Sequence, residues 1–302
     1  MGKGRIAVCE SCGMEHSVER VREIIQEVKG TVHVDSAHLA ENYYSIAMDA
    51  FTTGNNAKAE EYCNRILETS PHNSQAAFLK GKAVGWQSTI NKFRFKEAAI
   101  CFANSINFSE LSERSILHEN IESEFKKLAT AMVSVRSERF SKWPEREESE
   151  GFCDDLEEVE SAVELYENST NCTVNRNLVF SEVAFVVRTS ISIIATAKIQ
   201  LEYMADGSRS AYRTLVERTE FGIKILEKTA DLCDDDDDSD IQIYNQIISM
   251  IETVINNNRS DLIQDKWGAY KETSRLSTSE LKNLKLKIVT LKLKILSITG
   301  RK

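Results

Sequence analysis

Proline is nearly absent from this chain, with only Pro71 and Pro144 among 302 residues. Proline breaks helix interiors, so its scarcity leaves room for long uninterrupted helices. Twelve glycines are scattered through the sequence, and none builds a phosphate-cradling loop. A nucleophile elbow and the paired-histidine helix of zinc proteases are also missing. The five histidines do not gather beside candidate nucleophiles, and the expectation is a protein that is not an enzyme. Positive charge is in deficit: the formal net charge is −9, which argues against a chain that coats nucleic acid non-specifically. Long hydrophobic runs are lacking too. The most apolar stretch, Leu178 to Ala197, is interrupted by Glu182 and Arg188, so it reads as a central helix buried on most sides and not as a membrane span. No signal peptide reads from Lys3, Gly4 and Arg5, and the seven cysteines are expected to be reduced thiols of a cytoplasmic protein.

What the chain does have is Leu, Ile, Ala, Glu and Lys, the composition of an all-α protein. Between Ala40 and Asn73, Tyr43, Ile46, Ala47 and Ala50 mark one apolar helix face, and Ala59, Cys63 and Ile66 mark a second. Gly54 and Asn55 supply the turn between them, and Pro71 closes the unit. This stretch of about 34 residues resembles one tetratricopeptide repeat. A second, longer unit comes next, with Phe78, Gly81 and Lys82 on its first helix and Ala98, Phe102 and Ser105 on its second. Its extra residues fall in the inter-helix turn, Gly85 to Phe95. A further helix, about Glu113 to Phe140, is expected to cover the open face of the pair.

Pro144 to Asp155 is acidic and contains Gly151, so it reads as a linker. Beyond it the pattern predicts helices near Leu156–Tyr166, Asn177–Met204, Ser210–Cys233, Asp240–Asn256 and Ser279–Ile298, with a weaker one near Ile263–Thr273. These are either degenerate repeats or a separate bundle. The last helix contains a seven-residue near-repeat. Leu281, Leu284, Ile288, Leu291, Ile295 and Ile298 form one three-four stripe, and Leu286, Val289, Leu293 and Leu296 form another on the opposite face. Such a helix is either sandwiched between neighbours or shared with another chain, which makes self-association through 279–298 one reading.

Near the N-terminus, Cys9 and Cys12 form a Cys-x-x-Cys-Gly knuckle, half of a four-ligand structural zinc site. His16 offers itself as a third ligand. A helix is expected from Ser17 to Val28, ended by Gly30, with Thr31–Val34 extended and Asp35 or Ser36 capping the first repeat helix. His33, Asp35 and His38 read as a cap and two surface residues. The knuckle, the short helix, Lys29-Gly30-Thr31-Val32 and the repeat pair together resemble bacterial proteins that join an N-terminal zinc ribbon to tetratricopeptide repeats. Members of that group carry two knuckles, of which one is present here. The resemblance implies a structural role for any zinc on Cys9 and Cys12; no cofactor is certain.

The expected organisation is therefore a partial knuckle with a linker helix (1–34), tetratricopeptide-like hairpins of an α-solenoid with a covering helix (35–143), an acidic linker (144–155) and a C-terminal helical domain (156–302). In such a stack the first helix of each unit lines the concave face, which by register carries Glu41, Tyr44, Met48, Phe51, Leu79, Ala83 and Trp86. The function this implies is non-enzymatic scaffolding, with a protein or peptide held in that groove. The alternative is a zinc-ribbon-linked nucleic-acid-binding or self-assembling structural protein.

Overall fold

Side-chain caps mark where several of the helices start. Asn55, Asn73, Asn175 and Ser208 each accept a hydrogen bond from a backbone N–H in the first turn of the helix they precede, and Ser277 forms a full capping box with Glu280. In the computed structural model, which describes residues 6–8, 15–17, 38–190, 196–233 and 237–300, the chain is all-α apart from two short hairpins. Strands β1 (Ile6–Val8) and β2 (Glu15–Ser17) pair antiparallel, Ile6 against Ser17. Next come α1 (residues 38–52), α2 (Asn56–Thr69), α3 (Ser74–Gly85), α4 (Phe95–Phe108), α5 (Arg114–Lys142) and α6 (Arg146–Thr170). The remainder comprises α7 (Arg176–Val187), α8 (Thr196–Asp206), α9 (Arg209–Leu232), α10 (Asp237–Asn256), the hairpin β3 (Ser260–Gln264) and β4 (Tyr270–Ser274), and α11 (Thr278–Thr299).

The first four helices occupy the positions where two successive helix pairs are expected. Gly54 turns the chain at φ +79°, a left-handed conformation that favours glycine. Ala47, Cys63 and Leu79 are buried together, as are Ala50, Ala59 and Ala83, which locks α1, α2 and α3 into one layer of small side chains. The longer turn after α3 is ordered. Gln87 reaches back to Glu60, Arg94 clamps Glu60 through two nitrogens at 2.9 Å, and Phe93 stacks on Phe95 at 4.2 Å. In the middle of the chain packing is not sequential, with α4 against α6, α5 against α7 and α6 against α9, whereas α8 to α11 pack each on the next. One continuous buried cluster runs from Val84 to Leu291.

Four expectations are corrected. The acidic stretch 144–155 is not a linker: from Arg146 it is the first part of α6, with Phe152, Cys153 and Leu156 buried. Three of its acids have arginine partners. Buried Arg136 of α5 pairs with Asp155, Arg139 with Glu148 at 2.6 Å, and Arg218 of α9 with Glu145 at 2.9 Å. Gly151 leaves room for the Arg136 guanidinium, which would stand 3.3 Å from a Cβ there. The weak helix expected over Ile263–Thr273 is the β3–β4 hairpin. Its turn is fixed by Asp265, whose carboxylate accepts from the N–H groups of Trp267 and Ala269, and by Gly268 at φ +84°. The long helix expected over 177–204 changes to a wider turn at 188–190, and α8 begins at Thr196. Its first part buries Val179, Phe180, Val183, Ala184 and Val187 but leaves Leu178 and Phe185 exposed, so it is covered on one face only. Finally, α11 is not sandwiched. Leu291 and its three-four neighbours pack on α10, and Leu286, Val289, Leu293 and Leu296 face outward.

The expected helix over 18–28, the extended piece 31–34, His33 and Asp35 lie outside the described residues. Ser17, expected as that helix's cap, closes β2. No helix among the described residues is long and apolar enough to cross a membrane.

Candidate partner-binding groove

The geometry around Trp86 is built mainly by α1, α2, α3 and α5. Trp86 is the C-terminal cap of α3, and the residue is 40% exposed. On one side of it lies an open hollow lined by Phe51 and Gly54 from the first hairpin, Asn56, Lys82, and Glu124 and Lys127 of α5. On the other lies a smaller apolar pocket of about 160 Å³, lined by Gly85, Ile90, Phe93, Leu128, Met132 and Val135 among others. The Lys82 ammonium stands 4.7 Å from the Phe51 ring centre and 5.5 Å from that of Phe78, and 3.5 Å from buried Glu124. Lys127 approaches the same carboxylate at 2.9 Å. Two cations, one anion and the Phe51 ring therefore share the hollow's floor, and cation–π attraction to Phe51 and Phe78 as well as charge holds Lys82.

The residues read from register divide in two. Trp86, Phe51 and Met48 remain at least partly accessible. Glu41 is exposed beside His38. Tyr44 is half-buried against Ala47, Cys63 and Leu79, and burial, followed by the nearby Cys63, raises its phenol above the ordinary value. Leu79 and Ala83 are a correction: both are buried, 2% and 0% exposed, because their side chains fill the α1–α2–α3 contact. They support the wall and cannot touch a ligand. Register alone misses Lys82, one step further round α3, and the whole α5 wall. Glu124, Leu128, Met132 and Val135 do keep three-four spacing, but only the fold shows which neighbour that face meets.

Gly85 makes the α3–α5 approach possible, since a Cβ there would come within 2.5 Å of the Leu128 side chain. Glu60 stiffens the rim: the Arg94 hydrogen bonds hold its carboxyl below the usual range despite partial burial. The thiols near the groove are inert by environment. Desolvation pushes Cys63 up to about 12 and raises Cys101, which suppresses the reactive thiolate. Cys63, Cys101, Cys153 and Cys172 are not joined in disulfides.

Cys9 and Cys12 lie outside the described residues, in the connection between β1 and β2. His16 is paired with Ala7 through the backbone of that hairpin. No protein-family model matches the chain, and no curated protein does.

Proposed function

We propose that this chain is a non-enzymatic interaction scaffold that captures a protein or peptide segment in the groove around Trp86. The reading rests on one observation: a large aromatic side chain stands exposed between two hollows whose walls come from both N-terminal hairpins and from α5. Exposed tryptophans beside apolar pockets dominate binding energy where proteins meet. The smaller pocket is apolar and narrow and takes one branched or aromatic side chain of an extended or helical segment. The floor around Lys82 and Lys127 offers cationic donors to that segment's carboxylates or carbonyls.

A displayed peptide library selected against the whole chain tests this. The expected result is enrichment of peptides that share a bulky apolar anchor, whose binding to Trp86→Ala falls by about tenfold or more while its melting temperature stays near wild type. Selection that yields no shared anchor, or peptides that bind Trp86→Ala as well as wild type, would overturn the proposal. Val135→Glu, which charges an exposed position on the pocket's far wall, gives a second reading should Trp86→Ala lose stability.

A further inference from the structure

The outward face of α11 carries Leu286, Val289, Leu293 and Leu296, exposed by 61%, 52%, 61% and 65%. Four such residues on one helix form a contiguous apolar strip, which a monomer's surface rarely leaves uncovered. Their three-four-three spacing is that of alternating a and d positions, and the strip spans roughly 80° of the helix circumference at 3.6 residues per turn. That is the width of a coiled-coil seam; a helix lying in a lipid interface presents a broader apolar face.

The borders of the strip differ. Lys285 and Lys292 run along one side, Asn283, Thr290 and Ser297 along the other, and Lys282 stands at its N-terminal end. No acid comes after Glu280 on this helix. Lysines that point back toward the bundle are answered within the fold, Lys287 by Glu227 at 2.9 Å and Lys294 by the Tyr244 ring at 5.2 Å. Lys292 reaches Glu252 only at 3.9 Å, and among the described residues no carboxylate pairs with Lys282 or Lys285. A second copy of the strip does not supply the missing charge. Antiparallel pairing sets the lysine border against itself, and parallel pairing sets it against Thr290 and Ser297.

We propose that this face is a seam for an acidic amphipathic helix of a partner protein, whose apolar a and d residues cover the strip and whose flanking carboxylates meet Lys282, Lys285 and Lys292. The site is separate from the groove around Trp86 and stands or falls independently of it.

The probe is a labelled synthetic peptide of three heptads with leucine at a and d and glutamate at the flanking positions, titrated with the full chain; a lysine-flanked twin is the control. The expected result is saturable binding of the glutamate peptide, weakened by salt, with no binding of the twin. Leu293→Ser lowers that affinity about tenfold to a hundredfold, and Lys282→Glu with Lys285→Glu transfers preference to the twin. Unchanged circular-dichroism melting certifies each variant, since all these positions are exposed. Equal binding of both peptides, or of neither, overturns the proposal. So does sedimentation as a dimer that Leu293→Ser dissociates, which makes a second copy the occupant. Capture by phosphatidylserine vesicles without peptide binding also overturns it.

Discussion

Gly81 and Gly54 are both glycines of the N-terminal hairpins, yet they are required for different reasons. A Cβ on Gly81 would stand 2.6 Å from two ring carbons of Phe102 and 3.2 Å from the Ala98 carbonyl oxygen. That ring is fully buried and packs edge-on against Phe125, so it has nowhere to move. Gly81→Ala should cost about 1–3 kcal/mol through overpacking, measured as a lower urea midpoint with unchanged slope. Gly54 has open space around it, and its need is conformational, φ +79°. Gly54→Ala should cost about 1–2 kcal/mol with no change in packing. The Glu60–Arg94 pair gives a pH signature. Its carboxyl titrates lower in the folded chain than in the unfolded one, because Arg94 and Gln87 bond its ionised form. The stabilisation is therefore full above the ordinary carboxylate range and is lost as pH falls through the depressed folded value. Glu60→Gln should lower stability at neutral pH and flatten the acid limb of the stability–pH curve. An unaltered acid limb would remove Glu60 from that role. The glycines can be picked out from turn and repeat spacing, whereas the Glu60–Arg94 contact cannot, because it joins residues 34 positions apart.

Among the elements, α6 shows why local composition misleads. Six acids between Pro144 and Asp155 suggest a solvated stretch, but acids also belong in the first turn of a helix, where they meet its positive end. The deciding partners are arginines on α5 and α9, which nothing local reveals. Arg136 is 8% exposed and Asp155 is 7% exposed. Arg136→Ala should therefore cost about 3–5 kcal/mol by leaving a buried carboxylate unpaired, whereas Arg136→Met with Asp155→Leu should be close to neutral. A thermal-melt double-mutant cycle checks this, and equal losses in the single and double variants would show that the pair is not the source. The β3–β4 hairpin is legible in principle, since Asp265 and Gly268 are turn residues at turn spacing. It is obscured because its strands hold few β-branched residues and sit between two strong helices. At the groove, periodicity finds the faces of α1 and α3 but cannot divide them between core and surface. Leu79 and Ala83 share a register with Trp86 and differ from it only in what packs over them.

At the scale of the whole molecule, the boundary expected at 144–155 is instead a place where packing is dense. The buried cluster passes from Val84 and Phe102 through Phe125 and Phe152 to Leu226, Ile251 and Leu291 without interruption. The contacts α4 with α6 and α5 with α7 tie the N-terminal hairpins to the C-terminal helices. His118 adds a polar tie: its ring bonds the Tyr166 hydroxyl at 2.7 Å and the Thr173 carbonyl at 3.1 Å, joining α5 to the α6–α7 turn. Length alone suggests two units, and length is blind to whether two stretches share a core. A fragment of residues 35–143 strips α4 of its α6 contact and α5 of its α7 contact, and takes Tyr166 from the Phe125 ring, an apolar exposure that a packed native state does not tolerate. That fragment should show helical circular dichroism but no cooperative melt, and it should bind a hydrophobic dye, while the full chain melts in one transition. In native-state hydrogen exchange, α4, α6 and α9 should open only with global unfolding. The α1–α2 hairpin, held to α3 by two small clusters apart from the main core, should open earlier. A cooperative, dye-silent melt of the 35–143 fragment would mean that the groove-bearing hairpins fold alone and that the shared core is not what holds them.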